Sequence, residues 1–191
     1  SIPMAPVEPT WSPELLVRYP AIGETDVSPD GGRIVYTVRE PVLTDDESRF
    51  VTHLYLAASD GDRPLRLTYG QHTNTMPRWS PDGRYVASLS DRAQGKRNLY
   101  AIRTDGGEAW QLTAFERDIA GFAWSPDGAR LAFTMVPPET EERKATKKAK
   151  DDPIRWEVDV EPAHLWVADW VAEGAPLAEA QDLTPDDDRH V

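Results

Sequence analysis

The sequence predicts an all-β fold, a partial β-propeller of about three four-stranded antiparallel blades with a short N-terminal helix. Three observations carry this. A turn phrase occurs as Ser28-Pro29-Asp30-Gly31, Ser80-Pro81-Asp82-Gly83 and Ser125-Pro126-Asp127-Gly128, at intervals of 52 and 45 residues. Each copy precedes an apolar strand-like run, then a Leu-aromatic pair (Leu54-Tyr55, Leu99-Tyr100, Leu165-Trp166) and a Leu-Thr pair (Leu67-Thr68, Leu112-Thr113, Leu183-Thr184). The spacing is regular, since Leu54 to Leu67, Leu67 to Ser80, Leu99 to Leu112 and Leu112 to Ser125 each span 13 residues. Self-similarity at such a period marks one supersecondary unit per repeat, stacked on its neighbours.

In chain order, residues 1–23 form an extension. Its first ten residues are Pro-rich and extended. Pro13 to Tyr19 then reads as a short helix, because Ser12 caps it, Pro13 takes its first position and Pro20 stops it. A helix this short needs tertiary support, so Leu15, Leu16 or Tyr19 is expected to dock on the first blade. Blade one is expected at 24–68. Its turn phrase fits a type I turn, with Pro presetting φ and Gly taking the left-handed position from which the partner strand leaves. Between strands two and three, Arg39 to Thr52 is expected as a solvated loop, because Asp45-Asp46-Glu47 lack the spacing of a calcium loop.

Blade two is expected at 75–113, with strands near 75–79, 84–90, 97–103 and 109–113. Asp60-Gly61 and Asp105-Gly106-Gly107 signal hairpins between the third and fourth strands of their blades. Trp79 and Trp124 share the position before the turn phrase, with Val27 in the first copy, and are expected to pack between blades. Blade three is expected at 120–184 and carries an insert at 137–162. Glu139 to Lys150 is charged and rich in helix formers, whereas Ile154 to Val160 alternates like a strand. One further interval of 13 from Leu183 places the next phrase at position 196, so residues 185–191 read as the start of a fourth blade. Closed propellers have about four to eight blades, so the expectation is an N-terminal piece of a longer protein that either self-associates or is held by its missing parts.

Composition narrows the function. The formal net charge of −12 argues against a nucleic-acid partner. The chain has no Cys, which excludes disulfides and thiolate chemistry. No apolar run reaches membrane-span length and no signal segment opens the chain, so a cytoplasmic protein without a membrane partner is expected. No cofactor, metal site or catalytic residue is expected. The chain lacks G-x-S-x-G, H-E-x-x-H, P-loop and G-x-G-x-x-G motifs. Ser28, Ser80 and Ser125 serve turn geometry, since no His recurs beside them. The four histidines are scattered, and His53 and His164 hold equivalent strand positions.

The turn phrase with its preceding Trp, the Leu-aromatic pair, the Asp-Gly hairpin and the Leu-Thr ending together resemble two groups. One is the TolB-type propeller repeat. The other is the N-terminal propeller of prolyl-oligopeptidase-family serine peptidases, especially the acylaminoacyl-peptidase branch. The helix before the first phrase and the charged insert running through Asp151 to Arg155 favour the peptidase. That resemblance implies a propeller covering a C-terminal α/β-hydrolase domain that is absent from this chain and supplies a Ser-Asp-His triad. The propeller would admit peptides and exclude folded proteins. First strands line the channel in that family, which implies channel-lining or gating roles for Thr25, Arg78 and Phe122, with neighbours 75–77 and 119–121. The insert, with Arg155 and Trp156, would border the substrate entrance or a homo-oligomer contact. The alternative is a non-enzymatic TolB-like propeller that binds protein partners, or a repeat scaffold whose insert mediates assembly.

Overall fold

The structure is a computed structural model that describes residues 20–43, 48–58, 60–61, 63–135 and 163–185. The strands are β1 (Ala21–Val27), β2 (Arg33–Leu43), β3 (Ser48–Ala58), β4 (Leu65–Arg66), β5 (Asn74–Trp79), β6 (Tyr85–Ala93), β7 (Lys96–Arg103), β8 (Trp110–Gln111), β9 (Ile119–Trp124), β10 (Arg130–Met135), β11 (His164–Asp169) and β12 (Gln181–Asp182). They form three four-stranded antiparallel sheets, each in sequence order. This is the stacked meander of a partial propeller. The expected N-terminal helix, the insert 137–162 and residues 186–191 of the expected fourth blade lie outside the described residues.

The turn phrases close by one hydrogen-bond pattern repeated three times. Each serine hydroxyl donates to the Asp two residues on, at 2.5, 2.6 and 2.5 Å, and accepts the N–H five residues on at 2.9, 3.0 and 2.9 Å. The same Asp oxygen accepts the N–H of Gly32, Arg84 or Ala129 at 3.0 Å. Gly31, Gly83 and Gly128 all sit at φ 72°, which a side chain would strain. The turns also nest blade on blade, because Pro81 Cδ lies 3.5 Å from where a Cβ on Gly128 would stand.

The Leu-Thr pair has an equally specific task. Thr68, Thr113 and Thr184 accept the N–H of Leu54, Leu99 and Leu165, each at 2.9 Å. Leu67, Leu112 and Leu183 return their own N–H to the carbonyls of those same three residues at 2.8 Å. These bonds pin a fourth strand only two residues long. In the third unit Leu165 and Leu183 are 18 residues apart instead of 13, yet make the same bonds. The added residues lie between β11 and β12 and reach blade two, where the Leu177 N–H donates to the Leu112 carbonyl at 3.0 Å.

Blade two is the sandwiched layer. Tyr85 to Ser90 is buried without interruption, as expected for a sheet covered on both faces. Val86 and Ile102 face blade one and join Val35, Leu54, Leu67 and Trp79 in one cluster. Ala87, Leu89, Leu99 and Ala101 face blade three and join Ile119, Leu131 and Phe133 in another. Full burial of a side chain such as Leu99 stabilises the fold by about 1.5–3 kcal/mol. β1 has no blade on its far side among the described residues, and Ile22 and Val27 are 72% and 57% exposed.

Blade one departs from expectation between its second and third strands. Arg39 to Thr52 is largely a hairpin rather than a loop, paired from Arg39↔Thr52 to Leu43↔Ser48. Alternation explains it. Val51 is buried, the Arg39 guanidinium lies 3.7 Å from the Phe50 ring centre, and Glu40 accepts the Tyr55 hydroxyl at 2.8 Å. Asp45, Asp46 and Glu47 lie outside the described residues.

Candidate functional site

The first strand of every sheet is its edge strand, and these edges adjoin, β5 lying against β1 and β9 against β5. Each carries one extra residue near its start. Ile22 pairs with Val38, Asn74 with Ser90 and Ile119 with Met135, and the register then slips between Ile22 and Thr25, between Thr75 and Arg78, and between Ile119 and Gly121. A bulge re-aims the side chains beside it, so three equivalent bulges form one shaped row along the shared edge.

Carboxylates from β1 lock this row. Glu24 Oε2 accepts the Met76 N–H at 2.6 Å, and Asp26 Oδ2 accepts the Trp79 N–H at 2.9 Å. The Trp79 indole N–H returns to the Asp26 carbonyl at 3.2 Å. Met76 sits at φ 52°, an unfavourable setting for a non-glycine residue, and the Glu24 bond holds its amide there. Between blades two and three the Trp124 indole N–H meets the Arg78 carbonyl at 3.4 Å. At Gly121 a Cβ would stand 3.7 Å from Met76 Cε, so the bulged segments of β5 and β9 touch closely.

The residues expected to line a channel fall on this row, at different register positions. Thr25 is exposed and pairs with Tyr36. Phe122 is the equivalent of Thr25 in blade three, pairs with Phe133 and packs on the core between blades two and three. Arg78 is equivalent to Asp26 instead, and its guanidinium donates to the Pro77 carbonyl at 2.7 Å. Arg155 and Trp156 lie outside the described residues. Glu24 and Asp26 went unselected in the sequence. Their only signal is two acids alternating on a strand next to the conserved turn spacing within the chain.

Nothing on the row is a nucleophile with a base. The three turn serines are engaged by their aspartates. His53 is buried, 3.5 Å from Thr68 Oγ1, and burial holds its imidazole below the usual histidine value, hence neutral. His164 Nδ1 meets Asp182 Oδ2 at 2.6 Å on the outer side of blade three. Among the described residues no group of three or more His, Cys, Asp or Glu is placed to hold a metal ion.

No family model matches the chain. It is 37% identical over 79 residues to dipeptidyl-peptidase 5 of Porphyromonas endodontalis, a match covering 41% of this chain and 11% of that protein. It is 29% identical over 72 residues to an uncharacterized peptidase of Bacillus subtilis, covering 38% of this chain and again 11% of the relative. The chain thus spans about a tenth of the length of the curated relatives it matches. Among solved structures, an AtxE2 isopeptidase aligns with TM-score 0.68 at 19% identity, over 93% of this chain and 32% of that one. Acylaminoacyl peptidase of Pyrococcus horikoshii aligns with TM-score 0.62 at 14% identity, over 90% and 26%. TolB of Agrobacterium tumefaciens aligns with TM-score 0.54 at 21% identity, over 84% and 49%. At these identities the structural likeness carries the fold. The chain is a stretch of propeller similar to those of peptidases and of TolB, as its repeats imply.

Proposed function

We propose that this chain is the N-terminal propeller part of a cytoplasmic serine peptidase of the acylaminoacyl-peptidase or oligopeptidase kind. In this reading it gates peptide access to an α/β-hydrolase domain outside the chain. One observation supports it above others, the 37% identity to a dipeptidyl-peptidase. The catalytic domain would supply a serine nucleophile with His as base and Asp as orienter. The propeller would contribute selection by size. The bulged edges β1, β5 and β9 would form the wall past which a peptide moves, with Thr25, Arg78 and Phe122 on it. The bonds from Glu24 and Asp26 would keep that wall rigid.

The test is hydrolysis by the full-length polypeptide of an acyl-amino-acid p-nitroanilide, a series of longer peptides and a folded protein. Turnover of the short substrates, loss of activity toward the folded protein, and a length-dependent KM altered by Arg78→Ala are expected. Absence of hydrolysis on all of them sinks the reading. The fold likeness to TolB supports a second one, a non-enzymatic propeller presenting its face to protein partners. A full-length sequence with further blades and no hydrolase domain would favour it.

A further inference from the structure

The face of the stack that carries the turn phrases has the same notch twice, finished in two ways. The first notch lies between the turns of blades one and two. Arg33, the fifth residue after the turn serine, lies in it. Its guanidinium carbon is 4.8 Å from the Trp79 ring centre, and its Nη2 donates to the Gly83 carbonyl at 3.1 Å. Asp30 stands beside it, held below the usual carboxylate range first by the Ser28 hydroxyl, then by the Gly32 N–H, with the charge of Arg33 adding to them. So the chain itself shows what this notch accepts: a guanidinium on an indole face, near a carboxylate and a turn carbonyl.

The second notch, between blades two and three, repeats these walls at equivalent positions. Trp124 replaces Trp79, Gly128 replaces Gly83, and Asp82 and Asp127 stand where Asp30 and Asp82 stand in the first. The occupants differ, for Tyr85 holds the position of Arg33 and the Trp170 ring lies 5.2 Å from that of Trp124. The Tyr85 ring packs 5.7 Å from Trp110 and 5.2 Å from Trp170, and its hydroxyl donates to Glu173 at 2.8 Å. What remains is a cavity of about 160 Å³, with Trp124, Trp170, Tyr85, Asp82, Asp127 and Arg84 among its lining residues. That is room for about five waters at roughly 30 Å³ each, enough for a side-chain head group.

We propose that this second notch binds a guanidinium group, taking an arginine side chain of a peptide ligand into the cavity left beside Tyr85 and Trp170, against the indole rings. The charge balance favours it. Asp82 and Asp127 line the cavity against Arg84, whose exposed guanidinium leans out to Glu173 at 4.0 Å and lies 5.3 Å from the Tyr85 ring, while Arg130, whose charge also acts on Asp127, lies 4.0 Å from Asp169 outside the lining. Each aspartate spends Oδ1 on its own turn. A planar guanidinium can stack on the indole while its edge N–H groups reach carboxylate and carbonyl oxygens, which an ammonium cannot do as well. This inference rests on the notch alone and is independent of the peptidase reading.

The test titrates N-acetyl-argininamide, its lysine counterpart and its uncharged citrulline counterpart into the 191-residue chain, following indole and turn-amide NMR signals. Arginine is expected to give saturable shifts at Trp124, Trp170 and the amides near Asp82 and Asp127, with lysine weaker and citrulline weaker by about tenfold or more. Asp82→Asn combined with Asp127→Asn keeps the oxygen each turn needs and should weaken arginine binding by a similar factor. Arg33→Ala should add a second set of shifts at Trp79. Equal binding of citrulline and arginine, shifts mapping away from Trp124, or undiminished binding in the double Asn variant would overturn the proposal. If that variant fails to fold, the citrulline comparison on the unaltered chain decides.

Discussion

Between the first and second blades Trp79 is gripped by polar groups, whereas between the second and third Trp124 sits among rings. At the first junction Asp26 takes the Trp79 backbone and indole N–H groups, Arg33 lies on the indole face, and Glu24 reaches across to Met76. At the second, Trp170 contacts Tyr85, Trp110 and Trp124 at 5.2–5.9 Å, and Phe115 lies 5.6 Å from Phe133. The lengthened β11–β12 connection then folds back on blade two. Leu177 N–H donates to the Leu112 carbonyl at 3.0 Å, and Glu173 takes Arg103 at 2.9 Å and Tyr85 at 2.8 Å. One backbone repeat therefore accepts two kinds of mortar. The first adds carboxylate bonds at the inner edge to its aliphatic cluster, while the second adds stacked rings that extend to the outer rim.

If the junctions are separate units, core truncations should act independently. Phe133→Ala at the second junction is expected to cost about 3–5 kcal/mol and Leu54→Ala at the first about 2–5 kcal/mol. In equilibrium urea unfolding the double variant should equal their sum within about 0.5 kcal/mol. A larger discrepancy would mean that blade two transmits strain between its faces and would erase the distinction drawn here.

A smaller effect sharpens the contrast at the inner edge. Asp26→Ala removes a carboxylate that satisfies the Trp79 N–H, at an expected cost of about 1.5–3 kcal/mol. Its blade-two equivalent, Arg78, uses only its carbonyl toward Trp124, so Arg78→Ala should cost far less in the same urea series. Equal losses would show that the acid is incidental.

Next comes a pH effect confined to blade one. Buried His53 has a lowered pKa, from burial first and the charge of Arg66 second. The unfolded chain therefore binds the proton more readily, and stability falls as pH drops below about 6.5. Blade two has Asn98 at this position, bonded to Thr113 and Phe115. His53→Asn should flatten the loss of melting temperature below that pH, and an unchanged slope would place the titration elsewhere.

The smallest expected effect concerns the rim of the second junction. Glu173 is held below the usual glutamate value, first by its bond to Arg103 and then by Tyr85. Its contribution is present above the unfolded value and lost as pH falls below about 4.3. Glu173→Gln should remove that acid-side dependence and lower the urea midpoint near neutral pH by the same small amount. A large shift at neutral pH would mean that the connection, rather than the rings, holds the third blade.

Much of the fold was legible because turns and caps are local. Ser28, Pro29, Asp30 and Gly31 satisfy one another within a few residues, so the phrase predicts its own geometry. The Leu-Thr pair was visible as a spacing, but its reason, a threonine hydroxyl on a leucine N–H 14 residues earlier, needed coordinates. The pairing of Arg39 to Leu43 with Ser48 to Thr52 runs against the loop expected there because the acidic run Asp45-Asp46-Glu47 outweighs, in the sequence, the alternation of Val51 and its neighbours. The candidate site was half legible. The repeat named the inner strands, while Glu24 and Asp26 meet partners 52 and 53 residues away, a separation at which sequence spacing says nothing of side-chain reach.

The amino-acid order alone determined the four-stranded unit, its three copies and their turns, since each depends on backbone preferences and contacts within about one repeat. The tertiary structure alone decided how neighbouring units are joined: which indole meets a guanidinium, which meets other rings, and where a carboxylate crosses to another sheet. Those outcomes depend on side chains brought face to face by stacking, and packing of that kind is a property of the assembled layers.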